Sequence, residues 1–197
     1  MRAERRIWLV RHGETKWSRQ GRHTSRTDLP LDKVGHEQGV ALGRRLAGMT
    51  FALVLTSPLL RAVETARLAR FGDVAGEDSD LREWDYGALE GRTSVDIARE
   101  YPGWTIWRGP WPDGETVDQV AARADRVLAR CVAAEVDGDT LLFGHAHMLR
   151  VLAARWLRLP GASGGLFDLS TGTVSVLAVD RGLPVIETWN EACHLGP

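Results

Sequence analysis

The stretch Ile7-Trp8-Leu9-Val10-Arg11-His12-Gly13-Glu14-Thr15 decides the fold and points to a site. Its first four residues are apolar and rich in strand formers, which predicts a buried β-strand over residues 7–10. The strand ends at Arg11 and His12, two polar side chains that a buried strand would exclude. In open α/β sheets, ligands bind at the carboxyl ends of strands. We therefore expect this strand to deliver a guanidinium and an imidazole to a binding site.

The composition is typical of a globular enzyme-sized domain. The chain has 197 residues, of which 44% are hydrophobic and 26% charged, and its formal net charge is −1. This length predicts a single domain over residues 1–197 with a sizeable core. A net charge near zero provides no field that would attract nucleic acid or an anionic membrane, so we expect neither as a partner.

The sequence also predicts where the protein resides. No apolar run approaches the roughly 18 residues that a membrane span needs. The first apolar run, of four residues, is too short for the core of a signal peptide. Cys131 and Cys193 are the only cysteines, too few for a disulfide framework or a metal motif. We expect a cytoplasmic protein, and a homodimer is compatible with these features.

Strand and helix signals alternate along the chain. Apolar runs over 7–10, 51–55 and 140–143 predict three buried strands, each followed by a helical pattern. The order predicts an α/β fold, a three-layer α/β/α sandwich with a mostly parallel central sheet. Further apolar runs predict strands of a C-terminal hairpin or sheet edge: 166–169, 173–179 and 185–189.

The clearest helix signal follows Thr116. Thr116 and Gln119 form a capping box, and apolar residues then recur at helical spacing as far as Val132. Other helices are predicted over 35–46, with Val34 on the apolar side, over 58–69, over 95–101 and after His145.

Three predicted strands end in residues suited to hold a phosphoryl group. The first leads into His12, the second is followed by Arg61, and the third leads into His145. The carboxyl ends of parallel strands lie at one edge of a sheet, so these side chains should meet. Phosphoryl transfer spreads negative charge over three oxygens, and Arg11, Arg61 and the imidazolium of His145 can bind that charge without a metal ion.

The same chemistry suggests a nucleophile and an acid. An imidazole between arginines resists a further positive charge, so neutral His12 suits covalent catalysis through a phosphohistidine that water later opens. A leaving alkoxide needs a proton, and Glu83 is the candidate donor because Trp84 and Tyr86 would shield its carboxyl group from water. Each residue alone has an ordinary structural explanation, and the combination points to phosphoryl chemistry.

The ordered set of motifs resembles the histidine phosphatase superfamily, which includes cofactor-dependent phosphoglycerate mutases. The likeness spans nearly the whole chain and is carried by Arg11-His12-Gly13-Glu14-Thr15, Thr56-Ser57-Pro58 with Arg61, residues 81–91, Gly114-Glu115-Thr116 and Gly144-His145. The resemblance implies a phosphorylated His12, a proton donor at Glu83, and no metal ion or cofactor. It also implies a phosphate pocket formed by Arg11, Arg61 and His145.

Departures from the mutases favour hydrolysis. Ser18 stands where mutases carry an asparagine, and Arg92-Thr93-Ser94-Val95 replaces the lysine expected soon after Gly91. The arginine pair that mutases use against a bisphosphoglycerate is missing, and a tryptophan-rich loop over 104–111 takes its place. With fewer cations for a second anionic group, a 2,3-bisphosphoglycerate-dependent phosphoglycerate mutase is the alternative rather than the main prediction.

The sequence is more similar to the sugar-phosphatase branch that includes sedoheptulose bisphosphatases, and to bacterial acid phosphatases of similar length. The shared segments are Trp17-Ser18, Gly21-Arg22-His23-Thr24, residues 81–87, Trp107-Arg108 and Gly144-His145-Ala146-His147. The bisphosphatases carry a long insertion where this chain has only residues 159–165, which argues against a sugar bisphosphate as substrate. The similarity implies that the substrate pocket is lined by Ser18, Thr24, Ser25, Tyr86 and Ala146.

Two hypotheses from other classes stay open. His145 and His147, with His12 and Asp85, could bind zinc in a metallohydrolase. The chain could also be a non-enzymatic phosphate-binding protein, although nucleophile and acid are both present. The main prediction is a metal-independent phosphomonoesterase that hydrolyses small phosphate esters, either sugar phosphates or a broad range, through phosphorylated His12.

Overall fold

A computed structural model describes residues 5–133 and 136–196. The strands are β1 (Ile7–Arg11), β2 (Leu53–Thr56), β3 (Gly76–Glu77), β4 (Thr140–Gly144), β5 (Val174–Asp180) and β6 (Leu183–Glu191). They form one sheet in the order β3-β2-β4-β1-β5-β6. The first four strands pair in parallel, and β5 and β6 add an antiparallel edge. The mostly parallel sheet is confirmed.

Six α-helices accompany the sheet within the described ranges. They are α1 (Lys16–Arg19), α2 (Lys33–Arg45), α3 (Leu60–Leu68), α4 (Ser94–Glu100), α5 (Val117–Cys131) and α6 (Ala146–Trp156). The capping box predicted at Thr116 and Gln119 is present at the start of α5. Asp32 caps α2, so that helix begins two residues earlier than its apolar pattern suggested. Over the described residues, no helix has the length and apolar character to cross a membrane.

Successive residues of a strand point to opposite faces of the sheet. The buried strands are apolar at successive positions, so both faces are apolar, and helices cover both. On one face, Leu42 of α2 and Ala66 of α3 share a core with Val10 and Phe143. On the other face, α5 and α6 pack against a second core, to which Leu9 of β1 and Leu142 of β4 contribute. The three-layer arrangement is therefore confirmed.

Three local predictions were wrong. Residues 166–169 are not a strand: Gly161–Leu166 forms a 3₁₀-helix, and Leu166 is 81% exposed. The helix predicted to begin at Pro58 begins at Leu60 instead, the first residue of α3. Val34 is 42% exposed, although its neighbour Gly35 in the first turn of α2 is buried. Eight residues before the buried Leu42, Val34 lies about 80° around the helix from it.

The sheet aligns three strand ends at one edge. Arg11 of β1 pairs in register with Gly144 of β4, and Thr56 of β2 pairs with Phe143. The next residues continue the alignment, because the N–H of His12 donates to the carbonyl of Gly144 and the N–H of Ser57 donates to that of Phe143, both at 2.9 Å. The chain thus brings the residues that follow three strands to one edge of the sheet: His12, Ser57 and His145.

Candidate active site

His12 is buried at the centre of this edge, and its hydrogen bond defines its tautomer. The Nδ1 atom lies 2.7 Å from the carbonyl oxygen of Gly13, which can only accept, so Nδ1 carries the proton. In the neutral ring, Nε2 then has a free lone pair. Burial lowers the pKa of His12 well below its ordinary value, and the charges of Arg61 and Arg11 lower it further. His12 therefore stays a neutral potential nucleophile in mildly acidic solution.

The backbone beside His12 is held by close packing. The N–H of Gly13 donates to Oγ1 of Thr65 at 3.0 Å, and that hydroxyl donates to the carbonyl of Arg61 at 2.7 Å. A Cβ atom on Gly13 would lie only 2.5 Å from the carbonyl oxygen of Gly35. Glycine is required here because the strand exit touches the backbone of α2, and this contact fixes the direction of His12.

Arg61 is completely buried and is oriented by the loop that follows α1. Its terminal nitrogens donate to three carbonyl oxygens, of Thr24 at 3.1 Å, Thr27 at 3.3 Å and Ser25 at 3.4 Å. Its Nε atom has no hydrogen-bond partner among the described residues. A buried, unpaired N–H is costly, so Arg61 has a donor available for an anion beside His12.

Two further buried donors lack partners. A terminal nitrogen of Arg11 donates to the carbonyl of Leu169, while its Nε has no partner within the described part of the chain. The same holds for Nδ1 of His145, whose ring centroid lies 5.1 Å from that of His12. The charges of Arg61 and Arg11 act on His12, and the ring of His145 is its neighbour. Three unpaired nitrogens are therefore available near His12, as many as the equatorial oxygens of a transferring phosphoryl group.

Ser57 determines which nitrogen of His145 can donate. Its hydroxyl accepts the N–H of Leu59 at 3.3 Å and lies 2.7 Å from Nε2 of His145. If the hydroxyl donates to Nε2, the proton of the neutral ring is on Nδ1, the nitrogen without a partner. Burial, and then the charge of Arg61, lower the pKa of His145 well below its ordinary value. The neutral ring can thus donate to phosphate, and the imidazolium expected from sequence is unnecessary.

Glu83 faces the same site from the loop before α4. Its Oε1 accepts the N–H groups of Trp84 and Met148, both at 2.9 Å, and its Oε2 accepts that of His147 at 3.1 Å. Glu83 lines the cavity that contains His12, and its Oε2 has only one of these three donors. This oxygen can therefore carry the proton that a leaving group requires.

A cavity of about 260 Å³ opens beside His12, and most of the predicted substrate-binding residues line it. Ser18, Thr24, Tyr86 and Ala146 contribute to its wall. Ser25 does not line this cavity: its hydroxyl donates to Glu90 at 2.7 Å and its carbonyl accepts from Arg61. Ser25 instead lines the neighbouring cavity, which Glu83 also lines, and its carbonyl helps to orient Arg61.

Several lining residues were not identified from the sequence. His147 and His23 are two of them, and both contact the predicted Tyr86: Nδ1 of His147 lies 2.7 Å from its hydroxyl, and the ring of His23 lies 4.7 Å from its ring. Arg150 and Asp168 also line the cavity. The helical period places Arg150 one turn after Ala146, which could have indicated it. Asp168 lies in an irregular segment and had no such signal.

The geometry does not favour a zinc site. Asp85 lines a different cavity and pairs with Arg26 rather than with a histidine. His147 and His145 each use a ring nitrogen on a hydroxyl group, of Tyr86 and Ser57 respectively. In the described ranges, no three His, Cys, Asp or Glu side chains are grouped so that they could hold a metal ion.

Comparison with known proteins identifies a family. Residues 7–192 match the histidine phosphatase superfamily (branch 1). An acid phosphatase of Mycobacterium tuberculosis is 36% identical over 182 residues, which cover 90% of this chain and 88% of the relative. Sedoheptulose 1,7-bisphosphatase of Saccharomyces cerevisiae is 35% identical over 187 residues, covering 78% and 68%.

Other matches agree with this family. A probable phosphoglycerate mutase of Salmonella arizonae is 32% identical over 202 residues, covering 96% of this chain and 94% of the relative. The solved structure of an open reading frame from Mycobacterium tuberculosis superposes with a TM-score of 0.89 at 34% identity, over 94% of this chain and 97% of that chain.

Proposed function

Since the chain belongs to the histidine phosphatase superfamily, we propose that it is a metal-independent phosphomonoesterase that acts through a phosphohistidine on His12. The observation that carries the proposal is the set of unpaired buried nitrogens of Arg11, Arg61 and His145 around a neutral imidazole. A small phosphate ester is the expected substrate, and an acid phosphatase is among the relatives. The predicted cytoplasmic location and the homodimer remain predictions.

The reaction has two steps. Nε2 of His12 attacks phosphorus and displaces the alkoxide, which takes a proton from Oε2 of Glu83. The P–O bond to the leaving group breaks as the N–P bond forms, and the three donors around His12 bind the equatorial oxygens. In the second step Glu83 removes a proton from water, whose oxygen attacks phosphorus and releases phosphate and free His12.

A His12→Ala variant tests the nucleophile directly. We expect phosphate release from nitrophenyl phosphate and sugar phosphates, with chelator present, to fall at least about 1,000-fold. His36→Ala is the matched control, because His36 is exposed on α2. Rapid quenching in base should preserve a phosphorylated form of the unmodified protein, and later acidification should release its phosphate. Turnover that survives in pure His12→Ala protein would overturn the assignment.

The mutase alternative differs in where the phosphoryl group goes. A 2,3-bisphosphoglycerate-dependent mutase returns it to a second phosphoglycerate position, whereas a phosphatase releases it to water. One relative is named a probable phosphoglycerate mutase, so this alternative is tested as well. Phosphorus NMR of a reaction with excess 3-phosphoglycerate and a trace of 2,3-bisphosphoglycerate distinguishes the two. We expect inorganic phosphate, and no more 2-phosphoglycerate than hydrolysis of the added bisphosphoglycerate can supply.

A further inference from the structure

Three charged residues of the cavity wall take no part in the two proposed steps: Arg22, Arg150 and Asp168. Arg22 already donates to the carbonyl of Gly91 and to the side chain of Gln20, which leaves Arg150 and Asp168. Arg150 extends from α6, and Asp168 lies in the segment between the 3₁₀-helix Gly161–Leu166 and β5. They line the same cavity as His12, so they lie where the part of the substrate other than phosphate must fit. Their chemistry therefore bears on which leaving group the site accepts.

Arg150 is fixed in position. Its guanidinium carbon lies 4.7 Å above the centre of the Trp107 ring, and its Nε donates to the carbonyl of Gly164 at 3.1 Å. Its terminal nitrogens have no hydrogen-bond partner among the described residues. A guanidinium that is stacked and anchored in this way presents its remaining donors at a defined place with little further loss of entropy.

Asp168 is the complementary acceptor. Its side chain forms no hydrogen bond or ion pair within the described part of the chain, while its backbone carbonyl accepts from Nε1 of Trp189 at 2.5 Å. Burial lowers the pKa of Arg150, and Asp168 is the first of the charges that oppose this effect. The carboxylate is thus close enough for its charge to raise the pKa of Arg11 and Arg150, although it forms no ion pair with either within the described part of the chain.

Resting on the proposed function, we infer that Arg150 and Asp168 select phosphate monoesters whose leaving group is a neutral polyol. A hydroxyl group both donates and accepts, so a polyol can donate to the carboxylate of Asp168 while it accepts from Arg150. A leaving group with a carboxylate or second phosphate would be attracted by Arg150 but repelled by Asp168. The carboxylate therefore acts against anionic leaving groups.

Glycerol 3-phosphate and 3-phosphoglycerate are a matched pair for the test. They share a three-carbon skeleton and differ in a hydroxymethyl group or a carboxylate at the far end. At low ionic strength we expect the unmodified protein to have the higher kcat/KM for glycerol 3-phosphate. Asp168→Asn should shift the ratio of the two kcat/KM values toward 3-phosphoglycerate by about three- to tenfold, because one like charge is removed.

Two variants make the comparison specific. Asp180→Asn removes an exposed carboxylate at the end of β5 and should leave the ratio unchanged. Arg150→Met should raise KM for glycerol 3-phosphate more than it lowers kcat, since its donors bind the leaving group rather than the phosphoryl group. Asp168 is exposed, so we expect Asp168→Asn to leave the stability of the protein unchanged. Thermal unfolding of the variant checks this.

The outcomes separate this inference from the function on which it rests. An unchanged ratio in Asp168→Asn, or a preference of the unmodified protein for 3-phosphoglycerate, overturns the polyol selection while His12-dependent phosphate release upholds the phosphatase. If no tested ester gives His12-dependent release, both proposals fail.

Discussion

Oε1 of Glu83 accepts the backbone N–H of Met148 at 2.9 Å, so an acid 65 positions earlier in the chain caps the first turn of α6. Oε2 accepts the N–H of His147 as well. The side chain of His145, the residue at the cap position, makes no hydrogen bond to the first turn of α6. The proposed proton donor therefore also satisfies the N-terminus of the helix that follows His145.

Glu83→Gln should affect both chemistry and stability. The amide cannot supply the proton, so hydrolysis of glycerol 3-phosphate, which has a poor leaving group, should slow by about 100-fold or more. Nitrophenyl phosphate, whose leaving group needs little protonation, should lose much less. The amide NH₂ cannot accept from α6, so thermal unfolding should also reveal a loss of about 1 kcal/mol.

Steady-state rates on both esters check the Glu83 prediction. Glu77→Gln is the control, because Glu77 is exposed in β3. Equal losses on the two esters would argue against an acid role for Glu83.

Ser57→Ala tests the tautomer of His145. Without the hydroxyl, Nε2 of His145 loses its hydrogen-bond partner, and nothing favours the tautomer with the proton on Nδ1. We expect weaker binding of vanadate, an analogue of the transferring phosphoryl group, and a kcat lower by roughly tenfold.

Vanadate inhibition and steady-state kinetics measure the effect of Ser57→Ala, with Ser170→Ala as the exposed control. Vanadate inhibition that matches the unmodified protein would mean that Ser57 does not orient His145.

Acid should destabilise the protein through its buried histidines. Burial lowers the pKa of His12, His145 and His147 well below the ordinary value, and that of His23 to about 4. Below about pH 6.5 the unfolded chain binds protons at these positions and the folded chain does not, so the free energy of unfolding must fall. Each histidine should cost about 1.4 kcal/mol per pH unit until its folded pKa is reached.

Urea unfolding at pH 7.5 and pH 5.5 measures this effect above the range where carboxylates titrate. His23→Asn should reduce the difference in the free energy of unfolding between the two pH values by about 1.4 kcal/mol, the contribution of one histidine. The same free energy of unfolding at both pH values would show that these rings are not held neutral.

Gly35→Ala should destabilise the fold through a backbone contact. A Cβ atom there would lie 2.1 Å from the carbonyl oxygen of Glu14, which cannot move without shifting the strand exit that holds His12. We expect a loss of about 1–3 kcal/mol, together with reduced activity.

Gly76→Ala is the matched control, since its nearest neighbour would be a side-chain atom at 3.6 Å. Thermal unfolding of the two variants should differ clearly. If both melt like the unmodified protein, the close approach of α2 to the loop is not structurally required.

Local patterns in the sequence were sufficient to predict most elements. The apolar run before Arg11 gave β1, the capping box at Thr116 gave the start of α5, and the alternation of strands and helices gave the layered sheet. The failed strand over 166–169 shows the limit, because an apolar run predicts burial only if the fold has a sheet edge to receive it. Here β5 already occupies the position beside β1.

The sequence by itself placed His12 and His145 directly after two strands and Arg61 in the helix that follows a third, which predicted that the three share one edge of the sheet. Apolar runs predict the strands, and their alternation with helices predicts that the strands are parallel, so that their carboxyl ends share an edge. Only the tertiary structure decided that Ser57 bonds to His145, that Glu83 caps α6, and that Asp168 reaches the cavity. Those contacts join side chains through loops, whose paths depend on packing across the whole molecule rather than on neighbouring residues.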